Sequence, residues 1–332
     1  MKKIEWLSVL RGLTILLVVM FHIQLIDMST GQNHQFCEDM SFCFTPFRMP
    51  LFIFTSGGLL YVSRIERGWS VRDLYIDKFR RIMVPFFFFV CVYYFVKMTV
   101  NQYVKTSVDF SLCNFLSSFI IFENHPSAPL WFLATLMTLM LLYPLFCLLC
   151  RNVVYSMVFL LLSIIIYYID FTEFVDYNYF FLFKLNRFLV FFFFGIVFFR
   201  FKLYKYLDNW YVSILSLIVY VALFIYERGL VCSMVGIILM ISICLKIAKY
   251  FPRLFSSYRE YIYQIYLLSI PFQAFVELIL WKKFFYNEQY FYLFYILNLL
   301  IGLYVPVIIS KIVEKTNNRY LKMCFGLKYT NS

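Results

Sequence analysis

The chain has 332 residues, 63% of them hydrophobic and only 14% charged, with 43 Phe and 28 Tyr. A soluble core of this length has no use for so much apolar side chain, so a soluble fold is excluded and the membrane class remains. The net charge of +12 would suit a nucleic-acid partner, but the distribution of the basic residues along the chain argues against one.

The first apolar run, 6–26, follows Lys2 and Lys3. It resembles a signal peptide only in outline. No small-x-small cleavage site follows, and Asp27-Met28-Ser29-Thr30 reads as a helix exit, so the run is expected to remain as the first helix. Further spans are predicted at 47–63, 82–100, 130–149, 154–170, 179–199, 210–226, 230–246, 262–279 and 290–310. Polar stretches separate them at 27–46, 64–81 and 101–129, and a tail follows at 311–332. With the N-terminus in the cytoplasm, 21 Lys/Arg fall on the inner side and 8 on the outer, while acidic residues run 7 inner to 11 outer. That bias matches the positive-inside rule, so the basicity is topological and no nucleic acid is expected.

The runs are too long and continuous for barrel strands. The expected fold is an all-α integral membrane protein, one domain over 1–332. It is a bundle of about ten transmembrane helices with both termini cytoplasmic. The blocks "PFFFFVCVYYFV" and "FLVFFFFGIVFF" read as lipid-facing or interhelical aromatic surface. Gly57 and Gly58 are expected to permit close helix approach. Cys37 and Cys43 share a predicted outer loop and could pair. Cys147-Leu-Leu-Cys150 has a C-x-x-C spacing, but no second pair or neighbouring His accompanies it, and no metal site is expected.

The first span, "WLSVLRGLTILLVVMFHI", holds both Arg11 and His22. Eleven residues at about 100° each make three turns plus about 20°, so the two share a helix face, about 16 Å apart along it. Thr14, Ile15 and Val18 lie between them on that side. Ionisable groups inside a span face the bundle interior or a water-filled cavity and are functional candidates. Snorkelling of Arg11 to headgroups does not explain its alignment with a histidine three turns away.

The segment "RGLTILLVVMFH" resembles the Arg-x10-His signature on the first helix of the acyltransferase-3 family of integral-membrane acyltransferases. Other pieces agree in order: "FRMPLFIFTSGGLL", "KFRRIMVP" with Lys78-Phe79-Arg80-Arg81, "PLWFLATLMTLMLLYP", "RFLVFFFFGIVF" and "YIYQIYLLSIP". Together they cover about residues 5–310. Arg48 and Ser269 stand where the family often has His, and Ala128-Pro129 precede "LWFL" where His is common.

The resemblance implies transfer of an acyl group, most readily acetyl, from cytoplasmic acyl-CoA to a hydroxyl of a cell-surface or lipid-linked glycan such as an envelope polysaccharide (O-acetylation). No permanently bound cofactor is implied. His22 would act as general base, or alternatively as a nucleophile through an acyl-imidazole. Arg11, Arg72, Lys78, Arg80 and Arg81 would meet the donor phosphates, for which guanidinium forks are suited. Arg48, Glu123, His125 and Trp131 are the candidates for acceptor contact. The rival reading is a glycan exporter or carrier without acyl chemistry. It would call for inverted repeats and matched broken helices, which the sequence does not display.

Overall fold

The structure, a computed structural model, describes residues 4–27, 30–101, 108–122, 125–169 and 184–328. The described residues are helical, apart from loops and an isolated bridge between Ile26 and Asn33. The chain divides into two compact units, Met1–Ser63 with Phe194–Val307 and Arg64–Phe193 with Ile308–Ser332.

The helices are α1 Glu5–Phe21, α2 Gln35–Leu60, α3 Val71–Lys78, α4 Val84–Val100, α5 Leu112–Ser117, α6 Trp131–Leu141 and α7 Tyr143–Leu149. They continue with α8 Val153–Tyr168, α9 Leu185–Arg200, α10 Trp210–Tyr226, α11 Leu230–Tyr250, α12 Ile262–Phe275, α13 Phe291–Lys315 and α14 Arg319–Cys324. Each predicted span has a helix in its place, and α10 matches its predicted bounds. Among the described residues, four continuous helices are long and apolar enough to cross a bilayer: Val71–Thr99, Leu230–Tyr250, Ile262–Phe284 and Glu288–Lys315. A fifth arises if α6 and α7, bent by 51° with a short lead-in, count as one span. The chain is thus an integral membrane protein. The expected ten full-length spans exceed this count because α8 and α9 have only 16 residues and α1 and α10 only 17, while α2, at 26 residues, is too rich in polar residues and proline.

Two boundaries move. The helix exit is not at Asp27 but at His22, the cap of α1. The second helix begins at Gln35 rather than near 47, capped by the His34 side chain. That helix carries Cys37 and Cys43 as free thiols. Six residues apart on one helix, they point about 240° from each other, so the pairing considered for a loop is ruled out. The helix also runs through Pro46 and Pro50. A proline removes an amide and orphans the carbonyl four residues earlier. In the first unit, α11 repairs the second break: Ser233 Oγ donates to the Pro46 carbonyl at 2.5 Å. Tyr220 of α10 also donates to the α2 backbone, at the Cys43 carbonyl, 2.8 Å away. Backbone groups in lipid must be satisfied inside the protein, and the Ser233 hydroxyl does so for the carbonyl that Pro50 leaves without an amide.

The glycine prediction holds for Gly58. A Cβ there would collide with the Phe199 ring, and one on Gly195 would collide with the Phe54 carbonyl. The crossing of α2 with the 194–200 part of α9 is therefore a backbone-to-backbone approach. The aromatic block of α9 is interior, with Phe198 and Phe199 buried in this unit and Phe191, Phe192 and Phe193 buried in the other. By contrast α10 exposes Trp210, Tyr211, Leu215, Ile218 and Ile225. On a soluble protein that patch would invite association; here it is the surface that faces lipid.

In the second unit, Ser70 and Asp73 form a capping box that starts α3, the serine Oγ accepting from the Asp73 amide and donating to its carboxylate. The helix loosens into a π turn at Phe79–Met83 before α4. The break between α6 and α7 is covered by Tyr75, whose hydroxyl donates to the Leu141 carbonyl at 2.8 Å.

Candidate active site

In the first unit, α1 packs against α2, α11 and α12. Arg11 is half-buried on a cavity of about 130 Å³, lined also by Leu7, Ser8, Leu59, Val62, Arg259 and Glu260. The Glu260 carboxylate acts electrostatically on Arg11. Arg259 is buried and occupied: its Nη1 donates to the Pro252 and Leu254 carbonyls, and its Nη2 lies 3.6 Å from Glu5. The segment bearing these two charges leans on Gly12. Phe255, in a left-handed conformation at φ 61, sits where a Gly12 Cβ would come within 2.7 Å of its own Cβ. Tyr258 OH donates to the Gly12 carbonyl. Gly12→Ala is expected to push this segment off α1 and to destabilise the protein by about 1–3 kcal/mol, read as a lowered midpoint of thermal unfolding in detergent.

Three turns along, His22 closes α1. Its amide donates to the Val19 carbonyl at 3.2 Å, and its half-buried ring meets the Phe21 ring edge-on at 5.2 Å. Thr14, Ile15 and Val18, the side chains between Arg11 and His22, are all buried, so this face of α1 looks into the unit. The chain leaving His22 is fixed by a segment the sequence had not marked. Glu277 accepts from the Gln24 amide at 2.7 Å and from Asn298 Nδ2 at 3.2 Å. Trp281 Nε1 donates to the Ile26 carbonyl, and Tyr286 OH to Asp27. Val276–Phe285 is a π-helical run, the kind of irregularity often found at functional sites. Gln273 Nε2 donates to the Val19 carbonyl at 3.0 Å.

Arg48, expected on an outer edge, is buried in α2. Its guanidinium lies 3.2 Å from the centroid of the Phe21 ring, and its positive field reaches His22. The structure thus brings His22 and Arg48 onto the same Phe21 ring and sets Arg11 three turns earlier on the same helix.

The second unit holds the basic stretch 64–81. A cavity of about 370 Å³ is lined by Trp69, Asp73, Ile76, Asp77, Arg80, Arg81, Leu327 and Lys328. An apolar cleft of about 590 Å³ adjoins it at Ile76 and Arg80, continuing over Phe79, Val84, Met137 and Met323. The arginines are not equivalent. Asp77 holds Arg64 at 3.0 Å and Arg81 at 2.9 Å, and Arg64 also stacks on Trp69. Arg80 is exposed, with no ion pair among the described residues. Lys78 is half-buried, and Arg72 is exposed and lines neither cavity. Lys328, near the C-terminus, was not foreseeable from local sequence.

Of the acceptor candidates in this unit, Trp131 stacks on Phe188 at 5.3 Å with Lys184 over its ring, so part of its ring surface is already covered. His125 sits 3.4 Å from Ser117 Oγ, and burial, then Lys97, holds its pKa below the usual imidazole value. Glu123 lies outside the described residues. Among the described residues no three His, Cys, Asp or Glu are grouped to hold a metal ion, and Cys147 and Cys150 are free thiols.

The family model described as an acyltransferase domain, number 3 of that name, matches residues 4–315. No curated protein and no solved structure matches the chain.

Proposed function

This chain belongs to the acyltransferase-3 family and is a membrane-embedded acyltransferase, and from that premise we propose that it moves an acetyl group from acetyl-CoA to a hydroxyl of an envelope glycan. The observation that carries the donor is the pair of adjoining cavities in the second unit. The polar one offers Arg80, Arg81 and Lys328 to phosphate oxygens. The apolar one, sharing Arg80, suits the long uncharged pantetheine arm. Lys78 and Arg72 add positive charge nearby. Arg11 serves the donor side of α1.

His22 is the general base. The acceptor hydroxyl gives its proton to the imidazole as its oxygen attacks the thioester carbonyl. The C–S bond breaks, and the departing thiolate takes the proton back from the imidazolium. Imidazole is the side chain whose ordinary titration lies near neutral pH, which suits it to both transfers. Arg48 contacts the acceptor in the first unit; in the second unit His125 and Trp131 are the acceptor candidates, together with Glu123, which lies outside the described residues. The reading has about ten membrane-embedded segments, several of them shorter than a full span, with both termini cytoplasmic in a bacterial-type inner membrane, a topology supported by the inner bias of Lys and Arg.

The test is the ester content of surface glycans in cells carrying wild type or Arg11→Ala at matched protein levels. Loss of ester in the variant is expected. Full esterification would remove Arg11 from the mechanism, and an ester content independent of the wild-type protein itself would refute the reading.

A further inference from the structure

Arg48 is 7% exposed, yet its Nε and Nη1 are buried with no hydrogen-bond partner. No carboxylate pairs with it among the described residues. A charge taken out of water is costly unless a counter-ion and hydrogen bonds compensate it. The Phe21 ring covers a face of the guanidinium but leaves the in-plane N–H groups unanswered, because a π face offers them no acceptor.

Other groups on the neighbouring helix share this condition. Ser269 Oγ and Gln273 Oε1 are both 1% exposed and without a hydrogen-bond partner. They lie four residues apart, on one face of α12. That face reaches both partners: Tyr266, one turn before Ser269, packs against Phe52 of α2 at 6.3 Å, and Gln273 bonds the Val19 carbonyl of α1. Phe52 in turn is one turn from Arg48. Two helices, α2 and α12, therefore present a cation, a hydroxyl and an amide oxygen that are buried and unanswered, and Arg48 and Gln273 both touch the last turn of α1, just before His22. Buried polar atoms without a partner are rare and call for an explanation.

We propose that this cluster recognises an acidic acceptor, with Arg48 gripping a sugar carboxylate while Ser269 and Gln273 take ring hydroxyls. The inference rests on the reading of His22 as the base and names the substrate class that reading leaves open. The carboxylate is an anchor, so that a hydroxyl of the same ring stands before the imidazole. Guanidinium recognises carboxylate through paired in-plane N–H groups.

The test is calorimetric binding of methyl β-D-glucuronide, methyl β-D-glucoside and methyl phosphate to the full chain in dodecyl maltoside. Wild type is expected to prefer the glucuronide over the glucoside by about tenfold or more, the range of one good charge-assisted pair. Arg48→Gln should erase that preference, and Arg48→Lys should retain part of it. Equal affinity for the two glycosides in wild type, or a preference that survives Arg48→Gln, overturns the proposal. Methyl phosphate binding as tightly as the glucuronide, and lost in Arg48→Gln, would assign the anion to a lipid-linked phosphate instead and overturn the carboxylate assignment. The two readings fail separately: the glucuronide preference and its loss in Arg48→Gln, read by calorimetry, test the anchor, whereas turnover of His22→Ala tests the base. If Arg48→Gln lowers turnover equally on acidic and neutral acceptors at unchanged affinity, Arg48 serves the reacting atoms and is no anchor.

Discussion

Replacing His22 with alanine is expected to lower kcat for acyl transfer by about 10²–10⁴-fold, the usual contribution of a positioned acid–base group. The fold should survive. The cap of α1 is made by the His22 backbone amide, which alanine keeps, and the outgoing chain is held by Glu277, Trp281 and Tyr286. Donor affinity should not change, since the phosphate-binding charges proposed above lie elsewhere. His22→Gln is expected to fail equally, because an amide has similar reach but no useful proton affinity. Turnover measured on the purified chain with saturating acetyl-CoA decides the matter. A kcat near wild type in either variant would exclude His22 from proton transfer.

The second large effect is expected at Arg80. Arg64 and Arg81 share the Asp77 carboxylate, so much of their charge is already answered. Arg80 lines both the polar cavity and the apolar cleft. A hydrogen bond to a charged group contributes about 1.5–3 kcal/mol. Arg80→Glu removes that and adds repulsion, so CoA should bind about 10–100-fold more weakly or worse. Arg72→Glu is the control: an exposed charge outside the cavity lining should change affinity little. CoA titration of the two variants at fixed ionic strength makes the comparison. Equal affinities would reduce the basic stretch to a topology signal.

The helical membrane class was legible because apolar runs of helical length are a property of composition. The spacing of Arg11 and His22 was legible because it depends only on helix geometry, and α1 keeps that geometry up to its cap. The length of α2 was not, because Pro46 and the polar residues before it read locally as a loop. Ser233, nearly two hundred residues away, answers the carbonyl that Pro50 frees inside the helix. The same limit hid the neighbours of the proposed site. Glu260 beside Arg11 and Glu277 beside Gln24 are single carboxylates whose meaning comes from packing at sequence separations that no local pattern encodes. Asp77 is different. Its i+4 spacing to Arg81 was on the page, and it signals that one of the counted phosphate ligands is already partly spent on a neighbour.

The clamp on residues 23–27 has a kinetic meaning. Gln24 is itself exposed, yet its amide proton is held by a carboxylate from the far end of the chain, and the next bonds are made by an indole on the same π run and by the phenol that caps it. Deuterium should therefore enter this surface turn slowly, on the timescale of the helical interior rather than of ordinary loops. In the proposed reaction, an acceptor on its way to His22 would meet a rigid jamb here and not a yielding loop.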